Sequence, residues 1–212
     1  MEYNDLLMDD RIFFTTSDKM DFLKIYRENS LFKNTYYGLD ILNIKSDEDP
    51  KLNYEFKIEK NLKTVKLYLI DKLLPKIFID NNVLSYMYNK EEYLYIDVEN
   101  NKKIPSLTRI SIKSYNNDKL ETNHLINVIP QKNYNGYNYI KYLYLDTKNG
   151  LPSIKNMVLN YSDNDSDNKN GRNYNRVFEV MKKSKNELII AYKKPISALQ
   201  AFIIGASKFI LL

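Results

Sequence analysis

His124 is the single histidine of the chain and cysteine is absent, so imidazole metal clusters, thiolate nucleophiles and Ser/His or Cys/His relays are mostly excluded. Asp163, Asp165 and Asp167 imitate the opening of an EF-hand loop, but the sixth position is Asn168 where Gly is required and the twelfth is Tyr174 where a bidentate Glu is required. No metal is expected there. The five glycines are dispersed, which argues against a phosphate-cradling loop, and Asp and Glu are scattered. His124 stands before the apolar run Leu125 to Ile129 and reads as a turn or rim residue, not a general base. An enzyme is therefore not expected, nor a catalytic residue or a cofactor. What remains is charge: 32 Lys and Arg against 27 Asp and Glu leave a formal +5, an excess that tolerates an anionic membrane or a nucleic acid without requiring either. Lys182, Lys183, Lys185, Lys193 and Lys194 bracket the last apolar hairpin and could meet an acidic partner. The nineteen tyrosines would suit base stacking, but they are spread over strand positions and no nucleic-acid motif accompanies them.

The elements that must position these charges are legible in the apolar pattern. From Leu39 onward, short β-rich runs recur between polar turns: Leu39 to Ile44, Asn53 to Ile58, Thr64 to Ile70, Lys76 to Ile79, Val83 to Tyr88, Tyr93 to Val98, Leu107 to Tyr115, His124 to Ile129, Tyr139 to Leu145, Ser153 to Tyr161, Tyr174 to Met181 and Glu187 to Tyr192. In Tyr54-Glu55-Phe56-Lys57-Ile58-Glu59 apolar and charged residues alternate, so one face is wet and one buried. About twelve strands without intervening helices predict a closed antiparallel barrel. A barrel of that size leaves a lumen that needs filling. The filler is at the end of the chain: Ala198 to Leu212 is apolar on every side of a helical wheel, and Ser197 with Gln200 forms a capping box that starts the helix at Ala198. The segment rises roughly 22 Å at about 1.5 Å per residue, short for a bilayer, and Lys208 interrupts it. No transmembrane span is expected. Residues 1–37 stand apart as an N-terminal appendage, in which Met20, Phe22, Leu23 and Tyr26 suggest a short helix over Asp18 to Arg27 capped by Ser17 or Asp18. Residues 38–212 form the barrel unit. The acidic start, Met1 to Asp10, lacks the pattern of a signal peptide, which suggests an intracellular, cytoplasmic protein.

Lys194-Pro195-Ile196-Ser197-Ala198-Leu199-Gln200-Ala201-Phe202, with Phe209 seven positions after Phe202, resembles the C-terminal signature of the Tubby domain. Ser153-Ile154-Lys155-Asn156-Met157-Val158-Leu159 is similar to the family's second signature, and weaker similarity continues through Ile126 to Pro130 and Tyr93 to Asp97. The resemblance implies a twelve-stranded barrel around a central C-terminal helix. It also implies a non-enzymatic, membrane-tethered adaptor, peripheral at the plasma membrane, that binds phosphoinositides through clustered Lys and Arg. Two or three cations must converge on phosphates in such a site. Where the family has a dense basic run, this chain has Asp71-Lys72-Leu73-Leu74-Pro75-Lys76, leaving Lys72 and Lys76 as phosphoinositide-binding candidates, and Tyr88 stands where the family places a further Arg. The alternative is a protein-interaction scaffold with a degenerate lipid site, in which Lys72 and Lys76 are solvated turn residues.

Overall fold

A computed structural model describes residues 16–40, 54–62, 64–70, 72–99, 107–116, 119–128, 131–132, 138–139, 144–145, 150–161 and 176–212. Its strands are β1 (Asp21–Asn29), β2 (Asn34–Asp40), β3 (Phe56–Lys60), β4 (Val65–Leu69), β5 (Lys72–Leu73), β6 (Ile77–Asp80), β7 (Val83–Tyr88) and β8 (Glu91–Glu99). They continue as β9 (Leu107–Asn116), β10 (Lys119–Asn127), β11 (Gln131–Lys132), β12 (Asn138–Tyr139), β13 (Met157–Tyr161), β14 (Arg176–Lys182) and β15 (Glu187–Tyr192), before the helix α1 (Ala198–Ile210). Thirteen strands form one sheet in the order β5-β4-β3-β2-β1-β15-β14-β13-β10-β9-β8-β7-β6, and β11 pairs with β12 separately.

Alternation sends one residue in two toward α1. Leu23 and Ile25, Phe56 and Ile58, and Leu188 and Ile190 are buried on that face, where they meet a helix whose Leu199, Phe202, Ile203 and Ile204 are buried in turn. The rings of Phe56 and Phe202 stack with centroids 5.5 Å apart. Burial of the large helix side chains stabilises the fold by on the order of 10 kcal/mol, an upper estimate because an unfolded chain already covers part of that surface. The helix begins as expected. Ser197 accepts from the Gln200 N–H at 3.3 Å, and the Ser197 N–H donates to the Gln200 side chain at 3.0 Å.

All neighbours in the large sheet are antiparallel. With thirteen members, the two end strands, β5 and β6, therefore run in the same direction. They are consecutive in the chain, joined through Leu74-Pro75-Lys76. The Leu74 N–H still donates to Leu67 O on β4 at 2.8 Å, whereas Ile77–Asp80 pairs with β7. The expected closed ladder is thus absent: one segment divides its pairing between two strands, and Pro75 has no N–H to offer at the crossing. Alternating directions also bring the turns after β1, β3 and β14, the start of β13 and the C-terminus of α1 to one end of the sheet, here called the tip end.

The short helix expected over Asp18 to Arg27 is replaced by β1, which lies between β2 and β15. Both faces of β1 are apolar: Leu23 and Ile25 point to α1, while Phe22 packs outside with Met20, Ile189, Met181 and Ala191. Two apolar faces produce the spacing that imitates a helix stripe. The sheet accordingly incorporates residues assigned to the 1–37 appendage. His124 lies within β10, not ahead of it. Residues 1–15, 41–44, 140–143 and 162–175, the last including Asp163, Asp165 and Asp167, lie outside the described residues.

Candidate functional site

The gap between β4 and β6 opens as a groove of about 520 Å³. Its tip-end margin is the turn after β3, where Asn61 Oδ1 accepts from the Thr64 N–H at 2.7 Å and the Asn61 N–H donates to Thr64 O at 3.0 Å. That turn presents Leu62, which is 97% exposed. Leu67 and Leu74 form apolar wall, and Lys60, Lys66 and Lys76 bring cations from three separate parts of the seam. No Asp or Glu lines the groove among the described residues. Lys60 also donates to Ile210 O, at the end of α1, at 3.4 Å. Lys66 and Lys76 are exposed, and among the described residues neither forms an ion pair. Of the two candidate cations read from the sequence, Lys76 lines the groove; Lys72 is exposed on β5 and does not. Tyr88 packs edge-on against Tyr93, with centroids 6.4 Å apart, near a second and smaller cavity. There Lys113 is neutralised by Glu91.

A second group of cations gathers at the C-terminal end of α1. Lys155 Nζ donates to Lys208 O and lies 5.2 Å from the centre of the Phe209 ring, while Arg27 Cζ stands 4.6 Å from the same ring. Arg27 donates to Lys185 O at 3.2 Å and Asn186 Oδ1 at 3.3 Å, and its Nε is buried with no hydrogen-bond partner. Burial, then the charges of Arg27 and Lys182, lower the Lys155 pKa to about 8. Lys208 is 2% exposed, and its Nζ donates to Thr108 Oγ1 at 3.0 Å. Burial, then the charge of Lys155, lowers its pKa to about 7. No ion pair joins Arg27, Lys155, Lys182 or Lys208 to a carboxylate among the described residues. The immediate work of Lys155 is structural, because a cation on an unsatisfied carbonyl of a helix end offsets its dipole.

The remaining residues of the two sequence signatures act in packing. Ser153 Oγ accepts from the Lys155 N–H at 3.2 Å, and Asn156 Oδ1 accepts from the Lys182 N–H at 2.8 Å while its Nδ2 donates to Leu151 O at 2.9 Å. Pro195 follows a cis peptide bond, Leu199, Ala201 and Phe202 are buried, Ala198 packs at the core margin, and Gln200 Nε2 donates to Lys113 O at 2.8 Å. Phe209 stacks on Tyr36 with centroids 6.0 Å apart. The two signatures therefore meet, through Lys155, Lys208 and Phe209. His124 Nδ1 is 2.9 Å from Ser111 Oγ on the exposed face of β9 and β10. Among the described residues no cluster of His, Asp or Glu has metal-holding geometry, and no helix is long and apolar enough to cross a membrane.

Sequence reasoning missed Lys60, Lys66 and Arg27. The first two flank the turn of the β3–β4 hairpin with Asn61 between them, a signal available in the sequence; Arg27 was hidden by its assignment to a helix. No model of a known protein family matches this chain, and no curated protein matches it.

Proposed function

We propose that this chain is a non-enzymatic Tubby-like module that docks on phosphoinositide-containing membrane surfaces and serves there as an adaptor. The observation that carries this reading is the groove between β4 and β6, which gathers Lys60, Lys66 and Lys76 with no carboxylate among its described lining residues. Each Lys held at an anionic surface contributes about 1 kcal/mol, so three engaged together supply about 3 kcal/mol, roughly a hundredfold in affinity. The apolar wall excludes water and strengthens the attraction of lysines for phosphate. Two further features support the family reading: the capped helix inside the sheet, and contact between the two signature segments. In this reading the sheet is a barrel around α1, closed through the covalent link Leu74-Pro75-Lys76 instead of a hydrogen-bonded ladder. The protein works peripherally on an intracellular face, such as that of the plasma membrane.

The test is vesicle co-sedimentation of the whole chain and of a Lys66→Glu/Lys76→Glu variant. Both side chains are exposed, so the fold is expected to be kept, although Lys66 stands opposite Glu59; the melting temperature checks it. The reversal of two charges is expected to weaken binding to phosphoinositide vesicles by at least about tenfold. Unchanged binding would remove the groove from the account. If vesicles bind neither protein while a stable protein partner is recovered, the scaffold reading takes its place.

A further inference from the structure

The groove is one margin of a larger surface at the tip end. In the turn after β1, Ser30 Oγ donates to Lys33 O at 2.7 Å and the Lys33 N–H donates back to Ser30 Oγ at 3.1 Å. This closed turn holds Leu31 and Phe32 outward, 95% and 81% exposed. On the adjacent hairpin stands Leu62; Asn34 at the start of β2 pairs with Lys60 at the end of β3, which puts the two turns side by side. On the other flank, the Arg27 N–H donates to Asn186 O at 2.7 Å and the Leu151 N–H to Lys182 O at 2.8 Å. These bonds bring the turn after β14 and the segment before β13 into the same row. That segment exposes Leu151 and Ile154.

Three of these four neighbouring tips therefore carry five exposed large apolar side chains. Their cations are Lys183 and Lys185, with Lys33 paired to Glu59 and the Lys155 amine held on Lys208 O, and no carboxylate stands in the tips among the described residues. The nearest carboxylates lie at the ends of the strands and are engaged: Glu187 by Lys24 at 2.5 Å, Glu59 by Lys33 at 2.8 Å, Glu28 by the Tyr37 hydroxyl at 3.2 Å. Two other exposed regions differ. At the opposite end, exposed Tyr115 and Leu120 stand among charges of both signs, Glu91, Glu92 and Glu121 with Lys90, Lys113 and Lys119, and the β6–β9 half of the tip end carries Asp80, Asp97 and Glu99 with Arg109. Exposed Ile70, Leu73 and Phe78 lie along β4–β6, outside this row. Scattered exposed apolar residues need no explanation, but aligned ones ringed by cations mark an interaction surface.

We infer that the β1–β4 and β13–β15 half of the tip end is the face that enters the membrane, with Leu31, Phe32, Leu62, Leu151 and Ile154 wedged between anionic headgroups and lysines pairing with their phosphates. This inference rests on the membrane-docking reading and adds its orientation: α1 ends toward the bilayer, and the groove mouth at Lys60 and Leu62 opens at its surface. An anionic lipid surface is the occupant that satisfies both halves of the chemistry, since apolar tips gain by shallow burial and cations gain at phosphate.

Because the chain contains no Trp, Phe32→Trp and Leu62→Trp each install a lone fluorescent reporter in an exposed position. Vesicles of phosphatidylcholine, phosphatidylserine and a bisphosphorylated phosphoinositide should shift the emission of both variants to the blue, and brominated acyl chains should quench it. Tyr115→Trp, at the opposite end, should respond to neither. Leu31→Asp/Phe32→Asp should weaken co-sedimentation at least about tenfold without changing the melting temperature, since burying one Leu or Phe side chain is worth at least about a decade in an equilibrium constant. Co-sedimentation with unshifted reporters at positions 32 and 62 would overturn this orientation and leave the lipid reading standing; no co-sedimentation at low salt would overturn both. A blue shift that grows with protein concentration without vesicles would assign the tips to a second copy of the chain instead.

Discussion

Lys208 illustrates how much a single residue in this fold depends on its surroundings. In the sequence it is a charge interrupting an apolar helix; in the fold its amine is buried against Thr108 and its pKa falls to about 7. The unfolded chain keeps this proton up to about pH 10.5, so between about 7 and 10 the unfolded state binds more protons and stability rises with pH, by up to about 1.4 kcal/mol per unit. Below about 7 both states carry the proton and this slope vanishes. Lys155, with its pKa lowered to about 8, adds a rise of the same sign. Above about 10 the buried tyrosines, whose pKa values are raised by burial, reverse the trend. Lys208→Met should flatten the rise and increase stability near neutral pH. Urea unfolding at about pH 6.5, 8 and 9.5 measures it; an unchanged slope in the variant would show that the amine does not sit as described. A second residue prediction concerns Gly38, where an added Cβ would stand 2.5 Å from the Phe202 ring. Gly38→Ala should cost about 1–3 kcal/mol by overpacking, read as a lower melting temperature.

At the scale of elements, α1 was legible because its information is local. Ser197 and Gln200 mark its start, and apolarity on all sides implies burial wherever it goes. Ser197→Ala should destabilise by about 1 kcal/mol, since it removes the acceptor for the Gln200 N–H. A strand with one wet face, such as Phe56–Lys60, was equally legible from alternation. β1 was not: Phe22 faces an outer apolar cluster and Leu23 the core, and a strand apolar on both faces has the spacing of a helix. The cations were hardest to read. Lys76 could be named because the family resemblance pointed at its segment, but its meeting with Lys60 and Lys66 depends on how the far ends of a thirteen-stranded sheet approach each other. Arg27 meets Lys155 only because β1 pairs with β15 and the second signature docks on the end of α1. No spacing along the chain encodes either meeting.

At the scale of the molecule, the sheet and the helix stabilise each other, since neither can bury its apolar face alone. Truncation after Lys194 should leave an aggregated chain without cooperative melting; a cooperatively melting, monomeric product would contradict the central position of α1. The same geometry sets the polarity of the surface. Among the described residues, Leu31, Phe32, Leu62, Leu151 and Ile154 fall on one half of one end, while Asp80, Asp97 and Glu99 stand on the other half. The proposed function requires the chain to recognise a phosphorylated lipid surface. The most direct measurement is vesicle co-sedimentation at low salt with surface charge matched, the bisphosphorylated phosphoinositide being replaced by phosphatidylserine in the control. The proposed function requires clearly greater binding to the phosphoinositide vesicles, lost in Lys66→Glu/Lys76→Glu. Equal and negligible binding to both would contradict it.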